Sequence, residues 1–351
     1  MNPANQISGL SEGLGYLVDD RYLLHDPGAR HPESPKRLIA IHQALQQFRA
    51  GHRWQPLQAR KASLEELELV HHPFHVQRIE QAASRAPAYL DLDTSVSAES
   101  YTTALLAAGG VFECVDTLFS GKLRRVFAFI RPPGHHAAQE IARGFCLFNN
   151  VALAAAYARA KHRIERVAIA DFDVHHGDGT QSCFYSTPHV LYISTHQFPF
   201  YPGTGDFSET GKGEGKGYTL NFPLPEGTGD SGFVPIYSKI ASAVLDQYKP
   251  QLILVSAGFD GHYKDPLGGL ALTHAGYASA AASLILAAER CCAGKICFVL
   301  EGGYSLEALK DCSRAIMAEM QKQRPVESPV RESALFAEIS RNAARFSRWK
   351  W

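Results

Sequence analysis

Five short runs of β-branched and aromatic residues, spread over the last two-thirds of a 351-residue chain, constrain the fold more than any other feature. They are Arg125 to Ile130, Val167 to Ala170, Val190 to Ser194, Leu252 to Ser256 and Ile296 to Leu300. Apolar runs without alternation fit strands buried on both faces, as in a parallel sheet. Stretches with helical character lie between several of them: Leu153 to His162, Phe233 to Tyr248 and Tyr277 to Arg290. Strands alternating with helices predict a three-layer α/β fold. A polar cluster follows each run at once: Arg131-Pro-Pro-Gly-His-His, Asp171-Phe-Asp-Val-His-His-Gly-Asp, Ser194-Thr-His, Ala257-Gly-Phe-Asp and Glu301-Gly-Gly-Tyr. Ligands of open parallel sheets bind beyond the carboxyl ends of the strands. Five such clusters are therefore expected to converge on one cleft.

The second cluster is the richest. On an extended strand Asp171, Asp173 and His175 share a face. A carboxylate and an imidazole two apart can grip one divalent metal, and Asp260, after an apolar strand and between glycine-rich turns, is the natural third ligand. Three protein ligands with an open fourth position describe a catalytic zinc site. Asp and His at strand ends also cap helices or pair with one another. Three acidic groups and two histidines within eight residues would, however, be costly to bury without a cation. His135 and His136 follow a rigid Pro-Pro-Gly turn and can act as general base and electrostatic partner, oriented by carboxylates. Asp171 and Asp178 are free for that task. The Tyr304 hydroxyl can donate to a developing oxyanion, although a Gly-Gly-Tyr is more often an ordinary turn. Gly144-Phe145 and Tyr201 can wall a narrow channel; core aromatics are the plainer reading.

Composition removes other classes. Lys+Arg and Asp+Glu both total 35, so no broad basic footprint for nucleic acid is expected. No run approaches 18 apolar residues, and the first residues lack a basic segment before an apolar one, so neither a membrane span nor a secretory signal is expected. Seven cysteines without a Cys-x-x-Cys point to small buried hydrophobes in a reducing, cytoplasmic setting. The glycine-rich stretch 211–217 fits no phosphate-binding loop, and there is no Gly-x-Ser-x-Gly elbow. His71, His72 and His75 have no carboxylate pattern and read as structural. Residues 323–331 look like a proline-broken link to a last helix, Glu332 to about Arg348, with Leu335, Phe336, Ile339, Ala343 and Phe346 on one face. The expected division is a catalytic domain over 1–320 and an extension over 321–351 whose helix packs on the domain or joins an oligomer, a homo-oligomer being possible.

At this point the motifs are specific enough to resemble a family. RPPGHHA (131–137), GFCLFNNVALAA (144–155), DFDVHHGDGTQ (171–181), YPGTG (201–205), VSAGFD (255–260) and LEGGY (300–304) occur in the order of the histone deacetylase superfamily, over roughly residues 15–315. LLHDPGARHPESPKRL (23–38), DLDTSVS (91–97) and DPLGGLALT (265–273) look more like its class II branch. The resemblance implies an arginase-like three-layer αβα fold with a mostly parallel eight-stranded sheet. It makes Asp173, His175 and Asp260 zinc ligands, His135 and His136 the tandem histidines with Asp171 and Asp178 as partners, and Tyr304 the catalytic tyrosine. Phe145 matches one channel aromatic, and Tyr201 stands where phenylalanine is usual. Two structural potassium sites are implied. One uses the Asp171 and Ser194 side chains with backbone oxygens of Asp173, His175 and Thr195; the other uses those of Phe184, Thr187, Val190 and Tyr218. Arg37 resembles an arginine lining an acetate-exit channel. The implied substrate is an acetylated small amine or acetyl-lysine in a protein, with Asp93, Asp91 or Glu99 as rim acids. Two rivals have less support: a binuclear manganese ureohydrolase, which would need a second aspartate near Asp260, and a silent acyl-lysine reader, which would have lost a ligand or the tyrosine.

Overall fold

The computed structural model describes residues 13–49, 54–322, 325 and 332–351. Its main sheet contains β1 (Leu14–Leu17), β2 (Gln55–Leu57), β5 (Arg125–Ala128), β6 (Val167–Asp171), β7 (Val190–Gln197), β8 (Thr219–Leu224), β9 (Leu252–Ala257) and β10 (Ile296–Leu300). A separate antiparallel pair, β3 (Ala88–Tyr89) and β4 (Ser95–Val96), forms a small hairpin. The main sheet runs β2-β1-β5-β10-β9-β6-β7-β8, and every pairing in it is parallel. Strands β5, β6, β7, β9 and β10 are buried along their whole length, as their unbroken apolar runs require. β5 ends at Ala128, two residues short of its apolar run.

Right-handed crossovers decide which face each helix covers. Rightward steps along the sheet put α4 (Ser100–Phe119), α5 (Asn150–His162) and α6 (Asp178–Phe184) on one face. Leftward steps put α1 (Pro35–Arg49), α8 (Ser242–Tyr248) and α9 (His274–Cys292) on the other. The packing agrees: α4 lies on α5, and α10 (Leu306–Gln321) lies on α1 and α9. The short α2 (Leu64–Leu67) and α3 (Pro73–Ser84) join the α4–α5 layer. The result is the three-layer arrangement that the strand–helix alternation implied.

The helical stretch over 233–248 is not one helix. It is α7 (Asp230–Pro235), a π-helical segment over Ile236–Ala241, and then α8. Pro235 supplies no N–H and crowds the preceding turn, which displaces the regular ladder. The last helix, α11 (Ala334–Phe346), starts at the Ser333 cap and buries Phe336, Ile339 and Ala343 against α7 and β8. The link over 323–331 lies outside the described residues except for residue 325. Helix α4 is long and apolar enough to cross a membrane by composition, but 72% of its most apolar 18-residue window is buried inside this fold, the behaviour of a core helix. All seven cysteines are unpaired.

Candidate metal and catalytic site

β6 stops at Asp171, so strand alternation is not what brings Asp173 and His175 together. The carboxylates curl the chain beyond the strand instead. Asp171 Oδ1 accepts the Asp173 N–H at 3.2 Å, and Asp173 Oδ1 accepts the His175 N–H at 2.9 Å. Such side-chain bonds to the N–H two residues on are aspartate turns. Asp260 arrives from the end of β9, its Oδ1 accepting the Val174 N–H at 2.9 Å. The ligand-type atoms of Asp173, His175 and Asp260 lie within 4.8 Å of one another. His175 Nδ1 stands 3.1 Å from Asp173 Oδ1 and 3.2 Å from Asp260 Oδ2. Gly302 makes this crowding possible: a Cβ there would stand 2.1 Å from Asp260 Oδ2. Its N–H donates to Asp173 Oδ2 at 2.8 Å.

Two buried carboxylates face one imidazole here, and the charge does not balance. Burial would discharge the His175 ring, yet its bonds to Asp173 and Asp260 push its pKa up to about 9. Burial and the neighbouring Asp173 push the Asp260 carboxyl up to about 7. Asp260 Oδ2 is buried without a well-directed hydrogen bond. An excess of negative charge, an imidazole that attracts a proton and an orphaned carboxylate oxygen fit a divalent cation held by this donor set.

Beside it lie His135 and His136, ring centroids 4.1 Å apart, at the end of β5. His135 Nδ1 is 3.1 Å from Asp171 Oδ2, and His136 Nδ1 is 2.7 Å from Asp178 Oδ1, so each ring turns its Nε2 away from its carboxylate. Burial opposes charge on His135, but Asp173 and Asp171 outweigh it and raise its pKa to about 10. His136 is held well below the usual range by burial and by the neighbouring His135 and His175 rings. Tyr304 sits half-buried on the loop after β10, its hydroxyl pushed well above the usual phenol range by burial.

A cleft of about 130 Å³ opens onto this group, with Gly144, Phe145, Tyr201, Leu267 and Asp93 in its walls. Phe145 meets the Tyr304 ring edge-on at 5.8 Å, and Tyr201 meets His136 at 5.2 Å. Gly144 has a positive φ, and a Cβ there would press to 2.4 Å from the His136 ring. Of the rim acids, Asp93 Oδ1 accepts the Gly144 N–H at 3.1 Å, while Asp91 and Glu99 are exposed.

The residues expected around alkali ions lie deeper. The Tyr237 hydroxyl donates to the Asp171 carbonyl, Ser194 Oγ is 2.9 Å from His196 Nδ1, and Thr195 Oγ1 is 2.7 Å from the Tyr237 hydroxyl. The Phe184 carbonyl accepts the Thr187 N–H, and the Tyr218 carbonyl accepts the Tyr192 N–H just beyond Val190. Arg37 is fully buried, donating to the Gly303 and Glu301 carbonyls and to Glu33.

Sequence reasoning gave no role to three groups. Arg143 pairs with Asp178 from the side opposite His136. Glu33 is gripped by Arg131 and Arg37. The Glu301 carboxylate is buried beneath the tandem histidines. Glu33 and Glu301 both stood in recognised motifs, which was the signal available.

Residues 31–320 match the histone deacetylase domain. The chain is 42% identical over 309 residues to a probable deacetylase of Archaeoglobus fulgidus, covering 87% of this chain and 86% of that protein. It is 39% identical over 310 residues to the chloroplastic histone deacetylase 10 of Oryza sativa subsp. japonica, covering 82% and 70%. The crystal structure of the HDA15 HD domain superposes with a TM-score of 0.87 at 34% identity, covering 96% of this chain and 94% of that one.

Proposed function

Because the chain belongs to the histone deacetylase family of amide-bond hydrolases, we propose that it is a zinc-dependent amidohydrolase removing acetyl or a similarly short acyl group from an acylated amine. The observation that carries this reading is the convergence of Asp173, His175 and Asp260 at the floor of a cleft shared by His136 and Tyr304. Two carboxylates and one imidazole with an open side form a zinc donor set. Zinc held there would polarise the amide carbonyl and lower the pKa of a water towards about 7.

The protein's own groups then divide the remaining work. His136 is neutral, and with Nδ1 committed to Asp178 its Nε2 is the basic nitrogen that takes the proton from the attacking water. His135, its Nδ1 held against Asp171, stands beside it as the electrostatic partner of the pair. Tyr304 stays protonated and donates to the oxyanion. A histidine of the pair returns a proton to the leaving amine, giving acetate and a free amine. Phe145, Tyr201 and Leu267 hold the aliphatic arm and exclude water. The catalytic unit is assigned to residues 1–320, with 321–351 as an extension. Potassium at the two oxygen-rich sites would fasten the strand ends beneath the cleft. Seven free cysteines suit a reducing cytoplasm.

Acetyl-lysine is the first substrate class, because the cleft wall beyond the metal ligands is largely aromatic and aliphatic. Acetylated polyamines are the second, favoured by Asp93 in the cleft wall. The test is acetate release by zinc-loaded protein from an acetyl-lysine peptide and from acetylated putrescine and spermidine. Peptide preference supports the first class and polyamine preference the second. No release from any of them, with zinc bound, overturns the enzyme reading. Tyr304→Phe should keep zinc and lose about 10²–10³-fold in turnover; full activity in that variant would remove the oxyanion role.

A further inference from the structure

Glu301 does not reach the cleft, yet its carboxylate is one of the most deeply buried in the molecule. The hydrogen-bond partners of its side chain are all donors. Oε2 accepts the Gly134 N–H at 2.6 Å and the His135 N–H at 3.1 Å, and Oε1 is 3.1 Å from Ser256 Oγ. Those donors come from the loop after β5 and from β9, while Glu301 itself follows β10. One side chain thus ties three neighbouring strand ends together. The two backbone N–H groups belong to the turn that aims the tandem histidines. Their partner lies 167 and 166 residues away in sequence, so no local turn supplies this contact. The main chain of Glu301 is fixed as well: its N–H donates to the Ala257 carbonyl at 3.1 Å and its carbonyl accepts from Arg37. Immediately after it, Gly302 holds Asp173.

We infer that Glu301 is a positioning residue, fixing the Gly134–His135 backbone so that His135 meets Asp171 and the catalytic pair keeps its aim. The inference rests on the hydrolase reading above for its kinetic readout, but not for its structural one. Outer-layer partners of a metal or catalytic group carry about 10–100-fold in affinity or activity.

Three variants of the full chain test it. Glu301→Ala removes the acceptor and should lower kcat about 10–100-fold with KM within threefold and bound zinc unchanged. Glu301→Gln should restore kcat to within about fivefold, because an amide oxygen can accept both N–H groups while its NH₂ donates to Ser256 Oγ. Glu289→Ala is the control for lost stability: Glu289 pairs with Arg125 at the opposite end of the same sheet, so this variant should melt earlier with kcat unchanged. In parallel, the low-field proton signal of the His135 ring N–H against Asp171 should shift or broaden in Glu301→Ala and recover in Glu301→Gln, in metal-free protein as well. If Glu301→Ala keeps kcat within threefold of wild type, or if the glutamine variant is as impaired as the alanine one, positioning by hydrogen bonds is wrong. If the wild type hydrolyses no acylated amine, the functional reading fails instead, and the His135 signal still decides the role of Glu301.

Discussion

Two of the buried histidine pairs among the described residues are used in opposite ways. His135 and His136 lie 4.1 Å apart at the end of β5, and His71 and His75 lie 4.8 Å apart at the start of α3. Burial is equally deep in both. The partners differ. The first pair faces the carboxylates of Asp171 and Asp178, whereas the second faces the main chain. His71 Nδ1 lies 3.0 Å from the Ala138 carbonyl and its Nε2 accepts the Asn149 N–H at 2.9 Å; His75 Nε2 lies 2.9 Å from the Leu147 carbonyl. Charge sets one ring apart: Asp173 and Asp171 lift His135 to about 10, while burial drops His71 to about 3 and, with the neighbouring His135 and His175 rings, holds His136 well below the usual range despite Asp178. A buried imidazole among carboxylates has an ionic partner, as the proton role proposed for the first pair requires. One among amides is a crosslink, and this one closes both ends of the loop that carries Gly144 and Phe145 into the cleft.

The largest expected effect breaks the first pair. His136→Ala should cut kcat about 10²–10⁴-fold while zinc remains bound, the range for losing a general base. Steady-state rates with metal analysis check it, and a loss below tenfold would move the base elsewhere. The matching change in the second pair is His71→Phe, which keeps the ring but leaves the Asn149 N–H and the Ala138 carbonyl unpaired. That should cost roughly 2–4 kcal/mol in urea unfolding, with kcat within about threefold. A collapse of kcat without a loss of stability would show that His71 is not a mere crosslink.

The contrast also explains what could be read in the sequence. The His135–His136 pair announced itself because its carboxylates sit in a compact motif after an apolar run. His71 and His75 gave only the lack of a carboxylate pattern, since their partners are backbone groups that no sequence displays. The same logic separates the strands. The five fully apolar runs were legible because strands buried on both faces need no polar alternation. β1 was hidden by brevity and a glycine, β2 by three residues containing Pro56, and β8 by Asn221 and Pro223 on an edge strand. Asp173, His175 and Asp260 were found by motif, although an aspartate turn rather than strand alternation gathers the first two. Arg143 and Glu301 escaped because their partners arrive through long-range closure.

A smaller effect sharpens the comparison within the first pair. Asp178→Asn leaves a hydrogen-bond acceptor for His136 but removes its anion and the partner of Arg143. The expected loss is about 10–100-fold in kcat, less than for His136→Ala and without release of zinc. Equal losses in both variants would mean that the carboxylate itself is indispensable rather than supportive.

The smallest effect is a matter of pH. His71 has a folded pKa near 3 against an ordinary value of 6.5, so below 6.5 the unfolded chain binds the proton that the folded one refuses. Stability from this group is complete above pH 6.5, falls as the pH drops through 6.5, and levels off below about 3. Between pH 7.5 and 5.5 about one pH unit of that window is crossed, worth about 1.4 kcal/mol. The gap in unfolding free energy between wild type and His71→Phe should therefore narrow by that amount at pH 5.5, since the variant has no such proton to refuse. Paired urea titrations at the two pH values measure it. A gap that stays constant would mean that the His71 ring can be protonated in place, and the division between a histidine lifted by carboxylates and one kept neutral by burial would fall with it.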